Sequence, residues 1–246
     1  MDKKIIYVYS TKGGVGKSTI SLNLAFYLKK LKHKVTLIDL DFSGPSIHRL
    51  IEKNYKNKLR MVDFYIMPLK ISGINISSIG FIKSPTEISF LNGKYAEGAI
   101  DQFLHKKILE TSDIIIIDMP PGFGEFHRYI LTKQPGNVLI FTTPHFLSQE
   151  NIKRGIRLLE HLKIPIFWIL ENMAYFICPK CKEKHKIYGE SIKQEEFANR
   201  RIISIPFSNN LNRSLKDRKQ INLDKNIDSI LKKLALDLIK GYVKCQ

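Results

Sequence analysis

A glycine-rich loop between a strand pattern and a helix pattern limits the folds open to this chain more than any other feature. Residues 4–10, KIIYVYS, form the uninterrupted run of β-branched and aromatic side chains that is typical of a buried strand. The loop TKGGVGKST lies at 11–19, and the segment that follows it has apolar residues at helical spacing up to residue 34. A strand, a glycine loop and a helix in this order predict an α/β domain with a ligand site at the loop.

The same kind of strand recurs along the chain. The runs that resemble it are VTLIDLD (35–41), DIIIIDMPPG (113–122), VLIFTTP (138–144), IFWILEN (166–172) and IISIPF (202–207). Helical patterns lie at 148–162 and 224–242. Because the strands are continuously apolar, both of their faces must be covered, as in a parallel sheet. We therefore predict one domain over residues 1–246, an α/β fold with a doubly wound, mostly parallel sheet and helices on both faces.

Composition narrows the class of protein. Hydrophobic residues make up 43% and charged residues 26% of the chain, the balance of a soluble globular protein. The apolar runs are short, such as IIII at 114–117, so we expect no stable membrane insertion. The N-terminus lacks the pattern of a secretory signal, and three cysteines do not make a disulfide framework in a chain of this length. These features predict a cytoplasmic protein.

The chain carries a formal net charge of +17. Such a field attracts anions, including nucleotides, nucleic acid and acidic partner surfaces. A lysine-rich solvated surface also accounts for the charge, so non-specific nucleic-acid binding stays open.

The glycine loop has the residues that phosphate binding requires. Gly13, Gly14 and Gly16 let the backbone curl so that N–H groups point at phosphate oxygens. The Lys17 ammonium can bridge the terminal phosphates, and the Ser18 hydroxyl can ligate Mg²⁺.

The loop departs from the usual GxxxxGKS/T pattern, because Thr11 stands at the first glycine position. As KGGVGKST, it resembles the deviant Walker A loop of the MinD/ParA superfamily of P-loop ATPases. The resemblance implies that Lys12 reaches the nucleotide held by a second subunit, so that ATP joins a homodimer. It also implies ATP contacts by Lys12, Gly13, Gly14, Val15, Gly16, Lys17, Ser18 and Thr19.

The carboxylates at strand ends take roles by the same resemblance. Asp41 matches the switch residue that positions the attacking water, and Asp39 stands beside it. Asp118 matches the Walker B aspartate, so Ser18, Asp39 and Asp118 are the candidate Mg²⁺ residues. Asn172 and Pro206 match the positions that contact the adenine base.

Further segments resemble the Mrp-type branch of this superfamily, whose members are ATPases that carry iron–sulfur clusters. These segments are DFSGPSIHRL, SIGF, DMPPGFGE, TTP and ENMAYFICPKCKEKHKIYGE. The resemblance implies that recipient iron–sulfur apoproteins are partners. The chain departs from it at Phe123 and Glu125, where PPGFGE replaces the usual PPGTGD, and at FLNGKY (90–95).

Two cysteines lie in a candidate metal-binding segment at about 172–190. Cys178 and Cys181 can hold one edge of a cluster, but a [4Fe–4S] cluster usually takes four thiolates, which a symmetric dimer supplies. Zinc in a site of four cysteines is the alternative, and His185 can donate a nitrogen ligand. Unligated or redox-active thiols are the third possibility. Cys245 is expected to be a free thiol, and His127, His145 and His161 to be surface or packing residues.

The resemblance, together with the cysteine pair, therefore implies a slow dimeric ATPase that assembles or delivers a [4Fe–4S] cluster. The alternative is a partition or positioning ATPase that binds DNA or membrane in its ATP state, with zinc at the cysteine pair. The basic amphipathic pattern at 224–242 is compatible with a lipid surface, although such a stripe more often packs on a sheet.

Overall fold

A computed structural model describes residues 3–51, 60–63, 65–81, 94–197, 200–208 and 225–241. Within these residues, eight strands form one sheet, and all neighbouring pairs are parallel except β5 with β6. In spatial order the strands are β12 (Ile202–Ser204), β9 (Ile166–Glu171), β8 (Asn137–Thr142), β1 (Lys4–Tyr9), β7 (Ile114–Asp118), β2 (Val35–Asp39), β6 (Ile74–Ser78) and β5 (Leu69–Ile71). The prediction of a mostly parallel sheet is confirmed.

Helices cover both faces of this sheet. Strand β1 has apolar side chains on both faces, because Ile6 and Val8 pack on one side of the sheet and Ile5 and Tyr7 on the other. Both sides must therefore be covered. The first side is covered by α1 (Lys17–Lys30) and α7 (Lys225–Lys240). The second is covered by α3 (Lys94–Phe103), α4 (Lys106–Leu109), α5 (Glu125–Lys133) and α6 (Phe146–His161). A short helix, α2 (Ile47–Leu50), follows the β2 loop.

The last helix packs on the sheet with its apolar stripe. Ile227, Leu231, Leu234 and Leu238 of α7 are all fully buried in the cluster on the α1 side. Sheet packing therefore accounts for the stripe that was also compatible with a lipid surface. No helix among the described residues combines the length and apolar character needed to span a bilayer.

Two small antiparallel hairpins lie outside the main sheet. The first pairs β3 (Arg60–Val62) with β4 (Tyr65–Met67). The second pairs β10 (Phe176–Ile177) with β11 (Lys184–His185) and carries the cysteine pair on its connecting segment. We call residues 176–185 the cysteine hairpin. Two single-turn 3₁₀ helices, Ile79–Phe81 and Gln194–Phe197, complete the described elements.

The register of the strands brings polar residues together at the carboxyl edge of the sheet. Asp39 of β2 lies between Asp118 of β7 and Ser78 of β6. On the other side of β1, Glu171 of β9 lies between Thr142 of β8 and Ser204 of β12. The glycine loop leaves β1 between these two groups, so the fold places them on either side of the loop.

Candidate nucleotide and metal site

The phosphate loop is held in a backbone conformation that requires glycine. Gly14 and Gly16 have φ values of +75° and +91°, and a Cβ at Gly16 would lie 2.3 Å from the Nδ2 atom of Asn172. Helix α1 begins directly after Gly16, and none of the described side chains caps its N-terminus. Its first backbone N–H groups are therefore available to an anion.

The two lysines of the loop lie in opposite environments. Lys17 is only 7% exposed, and burial lowers its pKa, although the charges of Asp118, Asp41 and Asp39 act in the other direction. Lys12 is exposed at the surface of the loop. Lys17 is thus enclosed by its own chain, whereas the Lys12 ammonium is accessible to another molecule.

Asp118 has a buried carboxylate that accepts no hydrogen bond from the described residues. The side chain is fully buried, and neither oxygen has a hydrogen-bond partner among the described residues. Burial and the nearby charge of Asp39 raise the pKa of Asp118 to about 8, while the Lys17 ammonium opposes them. The Ser18 hydroxyl lies near enough to lower this pKa without meeting the geometry of a hydrogen bond. An unpaired buried carboxylate beside a hydroxyl is a suitable place for a hard cation.

Asp39 differs from Asp118, because both of its carboxylate oxygens accept hydrogen bonds within the chain. Its carboxylate accepts hydrogen bonds from Asp41 N at 3.1 Å, Ser46 N and Ile47 N at 3.2 Å, and Ser78 Oγ at 2.9 Å. Burial still raises the pKa of Asp39 to about 6. These bonds make Asp39 an anchor for the loop before α2, and its part in binding Mg²⁺ stays a prediction.

The loop that Asp39 anchors carries Asp41. The Asp41 carboxylate accepts from Gly44 N at 2.9 Å, and its charge acts on both Lys17 and His127. Asp41 is therefore within electrostatic range of the phosphate loop, as the water-positioning role requires.

His127 was expected to be a surface or packing residue, and the structure places it under the loop after β7. It is 7% exposed, its Nε2 lies 3.1 Å from the Pro120 oxygen, and its ring meets the Tyr9 ring edge-on. Burial lowers the pKa of His127. The spacing of His127, Ile130 and Leu131 on one face of α5 was the signal that it faces inward.

The two predicted adenine residues lie on neighbouring chain segments. The Asn172 side chain donates from Nδ2 to the Val15 carbonyl oxygen at 2.8 Å, which ties it to the phosphate loop. Pro206 is buried in the segment after β12. The preceding residue, Ile205, donates its N–H to the backbone carbonyl oxygen of Glu171 at 2.8 Å. The contacts of both residues with adenine stay predictions.

Glu171 is a site residue that the sequence did not reveal. Its carboxylate is fully buried and accepts from Ile192 N at 2.8 Å and from Ser204 Oγ at 3.1 Å. Ile192 lies where the chain returns from the cysteine hairpin. Glu171 therefore ties together the two ends of the segment 172–192, which carries the cysteine hairpin. The next residue, Asn172, contacts the phosphate loop.

The cysteine hairpin brings together three potential metal ligands. One ligand atom each of Cys178, Cys181 and His185 lies within 4.8 Å of the others. The backbone N–H groups of Cys181 and Lys180 point at the Cys178 sulfur and lower its pKa, which favours the thiolate that a metal binds. The Cys181 thiol contacts the Glu183 carboxylate at 3.7 Å. Cys245 lies outside the described residues.

Comparison with known families shows to which family the chain belongs. The model of the NUBPL-type iron-transfer P-loop NTPases of the ParA group matches residues 2–240. The chain belongs to this family.

Curated relatives agree with the family assignment. The chain is 36% identical over 201 residues to an iron-sulfur cluster carrier protein of Aquifex aeolicus, covering 80% of this chain and 54% of that protein. It is 34% identical over 195 residues to a cytosolic Fe-S cluster assembly factor, the Nubp2 homolog of Anopheles gambiae, covering 76% of this chain and 75% of the relative. The chain spans about half the length of several carrier proteins that it matches.

Solved structures agree with the fold. A nucleotide-binding protein of Archaeoglobus fulgidus, solved with ADP and with cobalt found in it, has a TM-score of 0.77 at 29% identity and covers 93% of this chain and 91% of its own. The cell-division ATPase MinD of Pyrococcus furiosus has a TM-score of 0.67 at 15% identity, covering 96% and 98%, and shows the fold alone. The resemblance to the MinD/ParA superfamily and its iron–sulfur branch is confirmed.

The chain differs from the usual sequence of its family in the segments PPGFGE and FLNGKY. Phe123 is 50% exposed in the loop after β7, and Glu125 is the first residue of α5. Of the FLNGKY segment, residues 90–93 lie outside the described residues, and Tyr95 near the start of α3 is exposed.

Proposed function

We propose that this chain is an ATP-hydrolysing iron–sulfur cluster carrier that works as a homodimer. The observation that carries the proposal is the junction at the end of β9. There Asn172 donates to Val15 of the phosphate loop at 2.8 Å, and the adjacent Glu171 accepts from Ile192 at 2.8 Å. One pair of neighbouring residues therefore contacts the nucleotide loop and holds the base of the segment that carries the cysteines.

The phosphate loop fits ATP with Mg²⁺. Loop amides and the buried Lys17 would contact the phosphates, and the unpaired oxygens of Asp118 with the Ser18 hydroxyl fit the ion. When bound, Mg²⁺ neutralises negative charge on the terminal phosphates.

Hydrolysis would use three side chains of the loop region. Asp41 orients a water whose oxygen attacks the γ-phosphorus, the bond to the β–γ bridging oxygen breaks, and ADP and phosphate leave. Lys17 stabilises the charge that develops on the phosphoryl oxygens of its own nucleotide. Lys12, exposed on the loop, does the same for the nucleotide of the partner subunit, in the manner of an arginine finger.

The homodimer is supported by exposed apolar side chains at the same edge of the sheet. They lie in the loop after β7, at the start of α6 and just after the cysteine hairpin, and each is between 46% and 69% exposed. Large apolar side chains exposed on one edge of a protein are candidates for a contact surface. The residues are Phe123, Phe146, Leu147, Ile187 and Tyr188.

The cargo would be a [4Fe–4S] cluster shared between two subunits. One chain offers Cys178 and Cys181, and two chains offer the four thiolates that such a cluster takes. Several relatives are named as iron–sulfur cluster carriers or assembly factors, which supports delivery to apoproteins.

Reconstitution tests the proposal. Anaerobic treatment of the full chain with iron and sulfide should give a brown dimer with one cluster per two chains. Cys178→Ser and Cys181→Ser should each abolish the colour, because each removes two of the four thiolates from a symmetric dimer. The matched control Cys245→Ser should retain it. A colourless parent protein that stays free of sulfide would contradict the proposal.

The charge of +17 supports a weaker, non-specific attraction to nucleic acid. Any such binding should weaken with salt at a log–log slope of about −0.9 per neutralised phosphate and should not depend on ATP. We also propose a cytoplasmic location, because exposed metal-binding thiols need a reducing compartment.

A further inference from the structure

The cysteine hairpin has an internal geometry that a cluster shared by two chains does not require. Phe176 pairs with His185 and Ile177 with Lys184, and the Cys178 N–H donates to the Glu183 oxygen at 2.9 Å. Side chains two residues apart along a strand point to the same face. The pairing therefore puts His185 on the face of Cys178, while Lys184 points to the other face and lies over the Tyr175 ring at 3.8 Å.

The turn then returns the second thiol to this same face. Among the described residues, Cys178, Cys181 and His185 form the one group of three side chains whose metal-ligating atoms lie within 4.8 Å of each other. Metal–ligand bonds of roughly 2.0–2.3 Å in a tetrahedral site put ligand atoms roughly 3.3–3.8 Å apart. Cys181 and His185 are exposed, so small side-chain rotations suffice to close this gap.

The charge balance of one cysteine hairpin suits a site within one chain. Residues 178–186 contain four lysines and one glutamate, a net charge of +3 before the cysteines ionise. A divalent ion with two thiolates and a neutral imidazole forms a site without net charge, and it needs no second hairpin nearby.

We propose that a single chain, without a partner, binds one divalent transition-metal ion through Cys178, Cys181 and His185. Two sulfurs and one nitrogen leave a fourth position open to water or to an incoming ligand, as in exchangeable rather than closed structural sites. This inference rests on the cysteine hairpin of the proposed function, but its ligand is a free metal ion and its ligand set includes a histidine that the shared cluster does not use.

Cobalt is a suitable probe, because tetrahedral thiolate-bound Co²⁺ absorbs visible light. Anaerobic titration of the reduced full chain without nucleotide should saturate at one Co²⁺ per chain, with thiolate-to-cobalt charge-transfer bands and a monomeric mass by light scattering. X-ray absorption of the zinc form should give two sulfur ligands and at least one imidazole nitrogen.

The variant His185→Ala decides the role of the histidine. Its cobalt affinity should fall at least about tenfold, the lower bound seen when even a supporting contact of a metal ligand is lost. The matched control is His161→Ala, which removes an exposed histidine at the end of α6 and should bind cobalt like the parent. Equal affinity of His185→Ala and the parent, or saturation at one metal per two chains with only sulfur ligands, would overturn the inference.

This failure is separable from failure of the proposed function. His185→Ala should still form the shared cluster with iron and sulfide, because the cluster needs only the cysteines. Weakened cobalt binding with an intact cluster supports the inference. A parent chain that binds cobalt singly but never forms a cluster refutes the proposed function and leaves the inference standing.

Discussion

The phosphate loop and the cysteine hairpin differ in how far the fold completes them. Lys17 and Asp118 are both buried, and each lies within the electrostatic influence of the other and of the Asp39 and Asp41 carboxylates. The hairpin presents its three candidate ligands near or at the surface, with His185 on a two-residue strand and the two cysteines on the connecting segment. The first site is preorganised by burial, whereas the second depends on a metal or a partner to complete its environment. The account therefore predicts that changes at one site leave the intrinsic chemistry of the other intact.

The largest expected effect is at Lys17. Lys17→Ala removes the buried cation that we propose contacts the terminal phosphates, and it leaves three nearby carboxylates without their counter-charge. We expect ATP hydrolysis to fall by at least about 100-fold, the cost of losing one strong electrostatic contact to a transition state. Steady-state phosphate release measures this.

The same variant tests the separation of the two sites. Lys17→Ala should still bind one Co²⁺ per chain at the cysteine hairpin with parental affinity. A loss of metal binding in a folded Lys17→Ala protein would show that the comparison is wrong.

A smaller effect is expected at the junction between the sites, where two neighbouring residues should act differently. Asn172→Ala removes the hydrogen bond to the Val15 oxygen, and the loss of about 1 kcal/mol should weaken ATP binding about fivefold. Glu171→Gln replaces one of the two acceptor oxygens by an NH₂ donor, so the hydrogen bond that the Ser204 hydroxyl donates must be reversed or lost, which loosens the base of the segment 172–192. It should lower cluster retention more than it lowers ATP affinity.

Isothermal titration with ATP and the rate of cluster loss to a chelator measure the two changes. If both variants lost nucleotide affinity and cluster stability to the same degree, the junction would be one structural unit rather than two separable contacts.

The smallest effect concerns pH. Burial lowers the pKa of His127 below 6.5, so the unfolded chain takes up a proton at acid pH that the folded chain resists. Folding stability is therefore lost as the pH falls through the unfolded value. His127→Gln removes this titration, so its melting temperature should drop less than that of the parent on acidification, by about 2–4 °C if the coupling is about 1 kcal/mol.

Thermal melts at about pH 8 and about pH 5.5 bracket the ordinary histidine titration. His161→Gln, at an exposed histidine, should melt like the parent at both pH values. The account of His127 is wrong if the two variants respond identically.

The strands that carry the nucleotide site were predictable, because long apolar runs end at glycines and aspartates. Helix α6 begins at Phe146, two residues before its predicted start, and β12 ends at Ser204 rather than 207. Strand β6 was missed because Asn75, Ser77 and Ser78 interrupt the apolar pattern of INISS. Helix α3 was missed although Ala96, Ile100 and Phe103 recur at helical spacing on its buried face.

In the candidate site, too, some residues could be predicted from the sequence and others could not. The phosphate loop is a local motif, so its residues could be named from their order alone. Glu171 could not, because its buried role depends on Ile192 and Ser204, which are distant in sequence. The register that places His185 beside Cys178 likewise depends on strands of only two residues each, too short for a periodic signal.

Complementation between two inactive variants tests most directly whether two subunits share the nucleotide site. Lys12→Ala keeps Lys17 for its own nucleotide but lacks the cation for its partner, and Lys17→Ala has the reverse defect. When equal amounts are mixed, about half of the dimers are mixed and each has one intact composite site, so hydrolysis should recover to at most about a quarter of the parental rate. No recovery on mixing, or a Lys12→Ala protein that hydrolyses ATP at the parental rate, would contradict the account.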